Sequence, residues 1–147
     1  MIDRGTILFL LIALFVLLPL SACNEPQTTV KVIGVIDGDT IIIEGGYRLR
    51  YIGIDTPEKD EAYYEKARQI NRELVQNKRI RLEKDLTDKD RYGRLLRYVY
   101  IEDTFVNAEI VKLGYAYSMA YPPDIKYQVY LEAMEKEARL YQRGIWK

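Results

Sequence analysis

The hydrophobic pattern divides the chain into an apolar leader followed by a longer region of short amphipathic segments. An unbroken apolar run extends from Ile7 to Leu18 and is followed by Pro19. A helix of that length covers about 18 Å, whereas the hydrocarbon core of a bilayer is about 30 Å thick. The run is therefore predicted to be the core of a signal peptide rather than a membrane span.

Beyond residue 30, apolar and β-branched residues recur with the period of strands. The predicted strands span residues 30–36, 40–43, 47–54, 79–83 and 95–101. Asp-Gly and Gly-Gly turn signals separate the first three, as is typical of hairpins. The third strand alternates, so that Arg48 and Arg50 share one face while Leu49 and Tyr51 share the other.

Three further segments have the apolar spacing of helices. They span residues 58–77, 105–113 and 125–142. The apolar face of the first is predicted from Tyr63, Ala67, Ile70 and Leu74. The apolar face of the last is predicted from Val129, Ala133, Leu140 and the aliphatic stem of Lys136. An antiparallel run of five strands, with one helix inserted and others at the end, predicts an α+β, mainly β fold. The candidate is a five-stranded OB-fold barrel, the oligonucleotide-binding type, capped by about three helices.

A short motif after the apolar run indicates where the mature protein begins. Leu20-Ser21-Ala22-Cys23 has the form of a bacterial lipoprotein cleavage box, and Cys23 is the only cysteine in the chain. The alternative is a chance cysteine after an ordinary signal peptide, but its distance from the apolar run favours lipidation of Cys23. We therefore expect a signal peptide at 1–22, the lipidated cysteine and a linker at 23–29, and one domain at 30–147. The domain is expected to be exported, extracytoplasmic and anchored to the cell membrane by lipid.

Composition narrows the chemistry that this domain can perform. The chain has no histidine, which excludes a Ser-His or Cys-His nucleophile and a histidine-ligated zinc site. The catalytic groups of an enzyme would then be Asp, Glu, Arg, Lys, Tyr or a metal with hard oxygen ligands, which points to Ca²⁺, Mg²⁺ or Mn²⁺. With 22 basic and 22 acidic residues the net charge is zero, so any attraction for phosphate must be local.

Four clusters carry candidate chemistry, and each has an ordinary structural explanation when taken alone. Asp37-Gly38-Asp39-Thr40 could be a tight hairpin turn, and Arg50 with Asp55-Thr56-Pro57-Glu58 could be a strand end before a helix. Asp90-Arg91-Tyr92-Gly93-Arg94 could be a solvated loop. The tyrosines 115, 117 and 121, which precede Pro122-Pro123, could pack at the barrel edge.

Taken together and in this order, the first three clusters resemble the signature of the thermonuclease family, the staphylococcal-nuclease-like domains. The resemblance runs from about Val30 to Trp146. It implies that Asp39, Asp55 and the Thr56 carbonyl bind Ca²⁺, with Asp37 supporting them from behind.

The resemblance also implies the roles of the remaining site residues. Arg50 and Arg94 would clamp the scissile phosphate, and Glu58 would act as, or position, the base for an attacking water. Tyr92 would help to hold a terminal phosphate, and Tyr121 would border the nucleotide pocket. The chain departs from the family pattern in a shorter, acidic loop after Glu58.

The implied function is that of a calcium-dependent endonuclease that hydrolyses DNA, with RNA as a second candidate substrate. The 5′-oxygen would leave, giving 3′-phosphate ends. Nucleic acid and, through Cys23, the membrane are the expected partners of a monomer. The alternative is a non-catalytic, lipid-anchored OB-fold module that binds nucleic acid or protein, since such barrels serve many functions. A module that only binds has no need of the combined arginines and carboxylates, which favours the enzyme.

Overall fold

The domain is built on a barrel of short strands with helices at its ends. The computed structural model describes residues 28–147, so the predicted signal peptide and the lipidation of Cys23 lie outside the described residues. The strands are β1 (Thr29–Val35), β2 (Thr40–Ile43), β3 (Tyr47–Tyr51), β4 (Ile54–Asp55), β5 (Arg79–Glu83), β6 (Leu95–Ile101), β7 (Thr104–Phe105) and β8 (Tyr117–Ser118). The helices are α1 (Tyr64–Val75), α2 (Val106–Lys112) and α3 (Gln128–Leu140), followed by a short 3₁₀ turn at Gly144–Trp146.

Five of these strands close into the predicted barrel. β1 pairs antiparallel with β2 and with β5, β2 pairs with β3, and β5 pairs with β6. The barrel closes where β3 pairs with β6 in parallel, with Leu49 opposite Leu95. The α+β OB-fold class is therefore confirmed, whereas the expectation of a wholly antiparallel run is wrong at the closing pair. The chain returns through α1 and β5 before β6, so β6 runs in the same direction as β3.

The interior of the barrel is filled by the inward half of each alternating strand. Leu49 and Tyr51 are buried as predicted, while Arg50 between them projects to the outside of the barrel. Helix α2 covers the core with side chains that are also buried. The core residues are Val32, Val35, Ile41, Ile43, Leu49, Tyr51, Ile54, Val75, Ile80, Val99, Val106, Ala108, Ile110, Val111, Ala116 and Leu131.

The predicted strand 47–54 is interrupted in the structure. Gly53 adopts a φ of 79°, which side chains rarely permit, and Ile54–Asp55 forms a separate strand that pairs with β8. A Cβ at Gly53 would lie 2.5 Å from Leu131 Cδ1, so the glycine also makes room for α3. The break turns the chain so that Asp55 stands beside Arg50, rather than further along the same strand.

The predicted buried face is confirmed in part for α1, where Ala67 is buried and Leu74 packs against the core, and is wrong for α3. Helix α1 begins at Tyr64, after turns over 58–63, and its fully buried residues are Ala67, Asn71 and Val75. The predicted face of α3 is wrong, because Val129 is 82% and Leu140 is 75% exposed. The buried residues of α3 are Leu131 and Ala138. Both sets have helical spacing, and the buried set is the one whose Leu131 packs against Gly53.

Among the helices of residues 28–147, none combines the length and the apolar character that crossing a bilayer requires.

Candidate active site

A cavity of about 770 Å³ lies beside the outer face of the barrel, near the closing strand pair. Every predicted site residue within the described range lines this cavity. They are Asp37, Asp39, Arg50, Asp55, Thr56, Glu58, Tyr92, Arg94 and Tyr121. The predicted residues thus share one site, although their individual roles stay predictions.

Strand register brings the first two motifs together. Thr40 is opposite Arg50 in the β2–β3 ladder, and the Tyr51 N–H donates to the Asp39 carbonyl at 2.9 Å. Asp39 therefore stands next to Arg50 on the outside of the barrel, where β2 begins. The break in the strand at Gly53 turns the chain back, so that Asp55 also lies beside Arg50.

The Arg50 guanidinium joins two carboxylates. Its Nη1 lies 2.5 Å from Asp39 Oδ1, and its Nη2 lies 2.9 Å from Asp55 Oδ1. Burial by itself lowers the pKa of the Arg50 guanidinium, but the charge of Asp39 and the hydrogen bonds to both carboxylates outweigh burial and raise it. Arg50 is therefore a permanent cation in a mostly enclosed position, and it holds Asp39 and Asp55 at one point of the cavity.

Asp39 is the most constrained carboxylate of the site. It is only 5% exposed, and its Oδ2 accepts hydrogen bonds from the backbone N–H and the hydroxyl of Thr56, both at 3.1 Å. Its Oδ1 accepts a hydrogen bond from the Thr40 hydroxyl at 3.0 Å. A Cβ at Gly38 would lie 2.7 Å from Thr56 Cγ2, so the glycine permits this close approach of the two segments.

Asp37 supports the turn that carries Asp39. Its Oδ1 accepts a hydrogen bond from the Asp39 N–H at 3.0 Å. Burial and the nearby charge of Asp39 raise the pKa of Asp37 to about 6. The buried Asn71 side chain of α1 donates to the Asp37 carbonyl at 2.9 Å and accepts from the Tyr51 hydroxyl at 2.8 Å. Asn71 was not predicted as a site residue, although a polar residue four positions after Ala67 on the apolar face was a signal for it.

Arg94, which lines the same cavity, is held by Asp90. The Arg94 Nε lies 2.7 Å from Asp90 Oδ2, and Asp90 Oδ1 accepts from the backbone N–H groups of Tyr92 and Arg94 at 2.9 and 3.0 Å. Burial raises the pKa of Asp90, but these hydrogen bonds and the charge of Arg94 hold it below its usual value. Within residues 28–147 the two Nη groups of Arg94 make no hydrogen bond, so they remain available to a ligand. Asp90 belonged to a predicted motif but had been given no role.

Glu58 lies at the mouth of the cavity and is exposed. Its backbone N–H donates to Glu61 Oε2 at 2.8 Å, which fixes the main chain there. The Glu58 carboxylate itself has no hydrogen-bond partner in the described part of the chain. It is therefore free to accept a proton from a water molecule.

The tyrosine cluster separates into two groups. The Tyr121 ring lies 5.9 Å from Arg50 Cζ and lines the cavity. Tyr115 instead packs near Tyr63, with ring centroids 6.4 Å apart, and Tyr117 packs edge-on to Trp146 at 5.3 Å. The packing explanation thus holds for these two residues, whereas Tyr121 belongs to the site.

Asp124 is a second site residue that sequence reasoning missed. It is 5% exposed, and its Oδ1 accepts from the backbone N–H groups of Leu86 and Thr87 at 2.9 and 2.7 Å. These bonds join the segment that carries Tyr121 to the loop that leads to Asp90. An acidic residue after two prolines is a common turn feature, so nothing local distinguished it.

The donor atoms of the site are suited to a hard cation. Asp39 and Asp55 both turn a carboxylate oxygen toward one positive group, the Arg50 guanidinium. Among the described residues no group of three or more acidic, histidine or cysteine side chains is arranged to hold a metal ion. Asp39, Asp55 and the Thr56 carbonyl nevertheless offer only oxygen donors, the ligand type that Ca²⁺ prefers.

Comparison with known proteins gives matches over most of the chain. The family described as staphylococcal nuclease homologue matches residues 48–147. A thermonuclease from Staphylococcus hyicus is 39% identical over 132 residues, covering 84% of this chain and 78% of the relative. A thermonuclease from Staphylococcus intermedius is 41% identical over 122 residues, covering 77% of this chain and 73% of the relative. An uncharacterized endonuclease from Haemophilus influenzae is 35% identical, covering 99% of this chain and 80% of its own.

Proposed function

We propose that this chain, which belongs to the family of staphylococcal nuclease homologues, is a calcium-dependent endonuclease that hydrolyses DNA. RNA is its second candidate substrate. The observation that carries the proposal is the convergence on one cavity of five side chains: Arg50, Arg94, Asp39, Asp55 and Glu58. The related thermonucleases support the same activity.

The arginines neutralise the phosphodiester. Because Asp90 holds Arg94 through Nε, both Nη groups can donate to two phosphoryl oxygens at once. Arg50 adds a second permanent positive charge in the same cavity. Charge builds on the phosphoryl oxygens as the nucleophile approaches, so donors that are already in place favour the transition state over the ground state.

Glu58 provides the base. Water attacks phosphorus while the Glu58 carboxylate takes the proton, and the bond from phosphorus to the 5′-oxygen breaks. The 5′-oxygen takes a proton from solvent, and the phosphate stays on the 3′ end of the other fragment. The Glu58 carboxylate is exposed and has no hydrogen-bond partner within residues 28–147, so it is accessible to the attacking water.

Asp39, Asp55 and the Thr56 carbonyl would hold Ca²⁺, with Asp37 orienting the Asp39 backbone behind them. The ion supplies positive charge that stabilises the pentacoordinate transition state. The hydrogen bonds from Thr56 and Thr40 keep Asp39 oriented toward the cavity while Arg50 balances its charge.

The calcium requirement can be tested with purified protein and single-stranded DNA. We expect cleavage in Ca²⁺, no cleavage in excess EDTA, and little or none in Zn²⁺, because Zn²⁺ favours a closed nitrogen and sulfur ligand set. Asp39→Ala should raise the half-saturating Ca²⁺ concentration at least tenfold, since it removes a charged ligand, and excess Ca²⁺ should partly restore cleavage. Calorimetric titration with Ca²⁺ measures the same loss without relying on activity.

Asp103→Ala is the matched control, because Asp103 is an exposed turn residue outside the cavity. Full cleavage in EDTA would refute the calcium-dependent mechanism. DNA binding without cleavage under any of these conditions would instead support the non-catalytic module.

We also propose that the mature protein is lipid-anchored through Cys23 outside the cytoplasm, as the Leu20–Cys23 box indicates. Cys23→Ser is expected to move the protein from the detergent phase to the aqueous phase. Its rate of DNA cleavage should be unchanged, because the cysteine precedes the barrel. Detergent phase partitioning of both forms provides the measurement, and equal partitioning into the aqueous phase would refute the anchor.

A further inference from the structure

A second concave surface adjoins the catalytic cavity. This lysine–tyrosine groove has a volume of about 600 Å³ and is open to solvent. Its lining includes Lys59, Tyr63, Tyr64, Lys66, Tyr115 and Lys147. Tyr64 also lines the catalytic cavity, and Lys59 directly follows Glu58, so the groove begins where the cavity ends.

The groove offers lysine side chains as well as two glutamates. Glu61 accepts the Glu58 backbone N–H, and Glu65 lies 3.7 Å from Arg68. Neither Lys59 nor Lys66 lies within ion-pair distance of a carboxylate in residues 28–147. Two ammonium groups with no carboxylate partner suit the repeating negative charge of a phosphate backbone.

The groove also offers aromatic surface. Tyr63 is 39% exposed, and its ring centroid lies 6.4 Å from that of the half-buried Tyr115, at an angle of 51°. The packing with Tyr115 holds the Tyr63 ring in place while part of the ring faces solvent. Aromatic faces of this kind bind unpaired bases by stacking, with little dependence on sequence.

We propose that the lysine–tyrosine groove binds single-stranded nucleic acid, as the continuation of the substrate strand beyond the scissile phosphate. The proposal rests on the proposed nuclease function. A single strand is required because the bases of a duplex are stacked on one another and cannot reach Tyr63. The groove would lengthen the stretch of nucleic acid that the protein binds. It would not take part in the chemistry at the scissile phosphate.

The test compares a single-stranded dodecamer with a dinucleotide too short to enter the groove. The variants are Lys59→Glu/Lys66→Glu, which changes only exposed side chains, and Tyr63→Ser. For both variants, we expect the ratio of kcat/KM on the dodecamer to kcat/KM on the dinucleotide to fall about tenfold, in line with the loss of one stacked base or two phosphate contacts. Lys136→Glu and Tyr47→Ala are the matched controls, because both residues are exposed and line neither the cavity nor the groove.

A direct binding measurement tests the lysine–tyrosine groove independently of the proposed nuclease activity. Fluorescence anisotropy with a labelled dodecamer should show an increase of about tenfold in Kd for both groove variants. For the lysine variant, the slope of log K against log salt should fall by about 1.4, because two single-strand phosphate contacts are lost. If the wild-type chain cleaves nothing, the proposed function fails and these Kd values still decide on the groove. An unchanged Kd and an unchanged length ratio in both variants would refute it.

Discussion

Replacing Glu58 with glutamine is expected to lower kcat for DNA cleavage by about 10²–10⁴-fold, the usual contribution of a general base. Glutamine keeps the size and one carbonyl oxygen of the side chain but cannot accept a proton. The Glu58 backbone N–H, which donates to Glu61, is retained, so the loop should keep its conformation. The loss corresponds to about 3–5 kcal/mol of transition-state free energy.

The affinity for DNA should change little in this variant, because Glu58 contacts the attacking water rather than the phosphate. Single-turnover kinetics with the Kd measured in parallel separates the two effects. Glu102→Gln makes the same chemical change in an exposed turn away from the cavity, and it should retain wild-type kcat. A wild-type kcat in Glu58→Gln would assign the base to another group.

Replacing Arg94 with lysine is expected to lower kcat/KM by about 10²–10³-fold, the usual effect of removing one preorganised donor to developing negative charge. The structure gives the reason: Arg94 uses Nε for Asp90 and keeps both Nη groups for a ligand. A lysine at this position has a single ammonium group. If that group pairs with Asp90, it cannot also donate two parallel hydrogen bonds to the phosphate as a guanidinium does.

The Asp90 contact provides a second measurement of the same geometry. Asp90→Asn should cause a smaller loss of kcat/KM than Arg94→Lys, because the guanidinium remains but loses the charge that orients it. Arg97→Lys is the matched control, since Arg97 pairs with Asp88 outside the cavity and should retain wild-type kcat/KM. Equal kcat/KM for Arg94→Lys and Arg97→Lys would remove Arg94 from the catalytic assignment.

The catalytic cavity and its carboxylates are linked through the barrel wall to α1. Asn71 joins the Asp37 carbonyl to the buried Tyr51 hydroxyl, so the turn that carries Asp39 is tied to the core rather than standing free. A buried amide with both partners satisfied is costly to replace, because truncation leaves its partners unpaired. The stability of the fold and the geometry of the site thus depend on the same side chain.

The sequence by itself determined the number and order of the barrel strands and the identity of the site motifs. Period-two alternation is a local property, so segments such as 40–43, 79–83 and 95–101 were predicted with the bounds that the structure has. The short motifs could also be identified from the sequence, because the residues of each motif and the order of the motifs are both given by it. Their convergence on one cavity was implied by the resemblance and was not visible in any single motif.

Only the tertiary structure decided which helix faces are buried and how the motifs are held. On α3, two sets of residues have helical spacing, and the buried set contains Leu131, which packs against Gly53 in the turn between β3 and β4. Likewise, Asn71 and Asp124 matter through bonds to Asp37, Leu86 and Thr87, which lie 34 to 38 residues away in the chain. The spacing of residues along the sequence specifies which local strands and helices they can form. Contacts between distant segments depend instead on where the closed barrel places those segments.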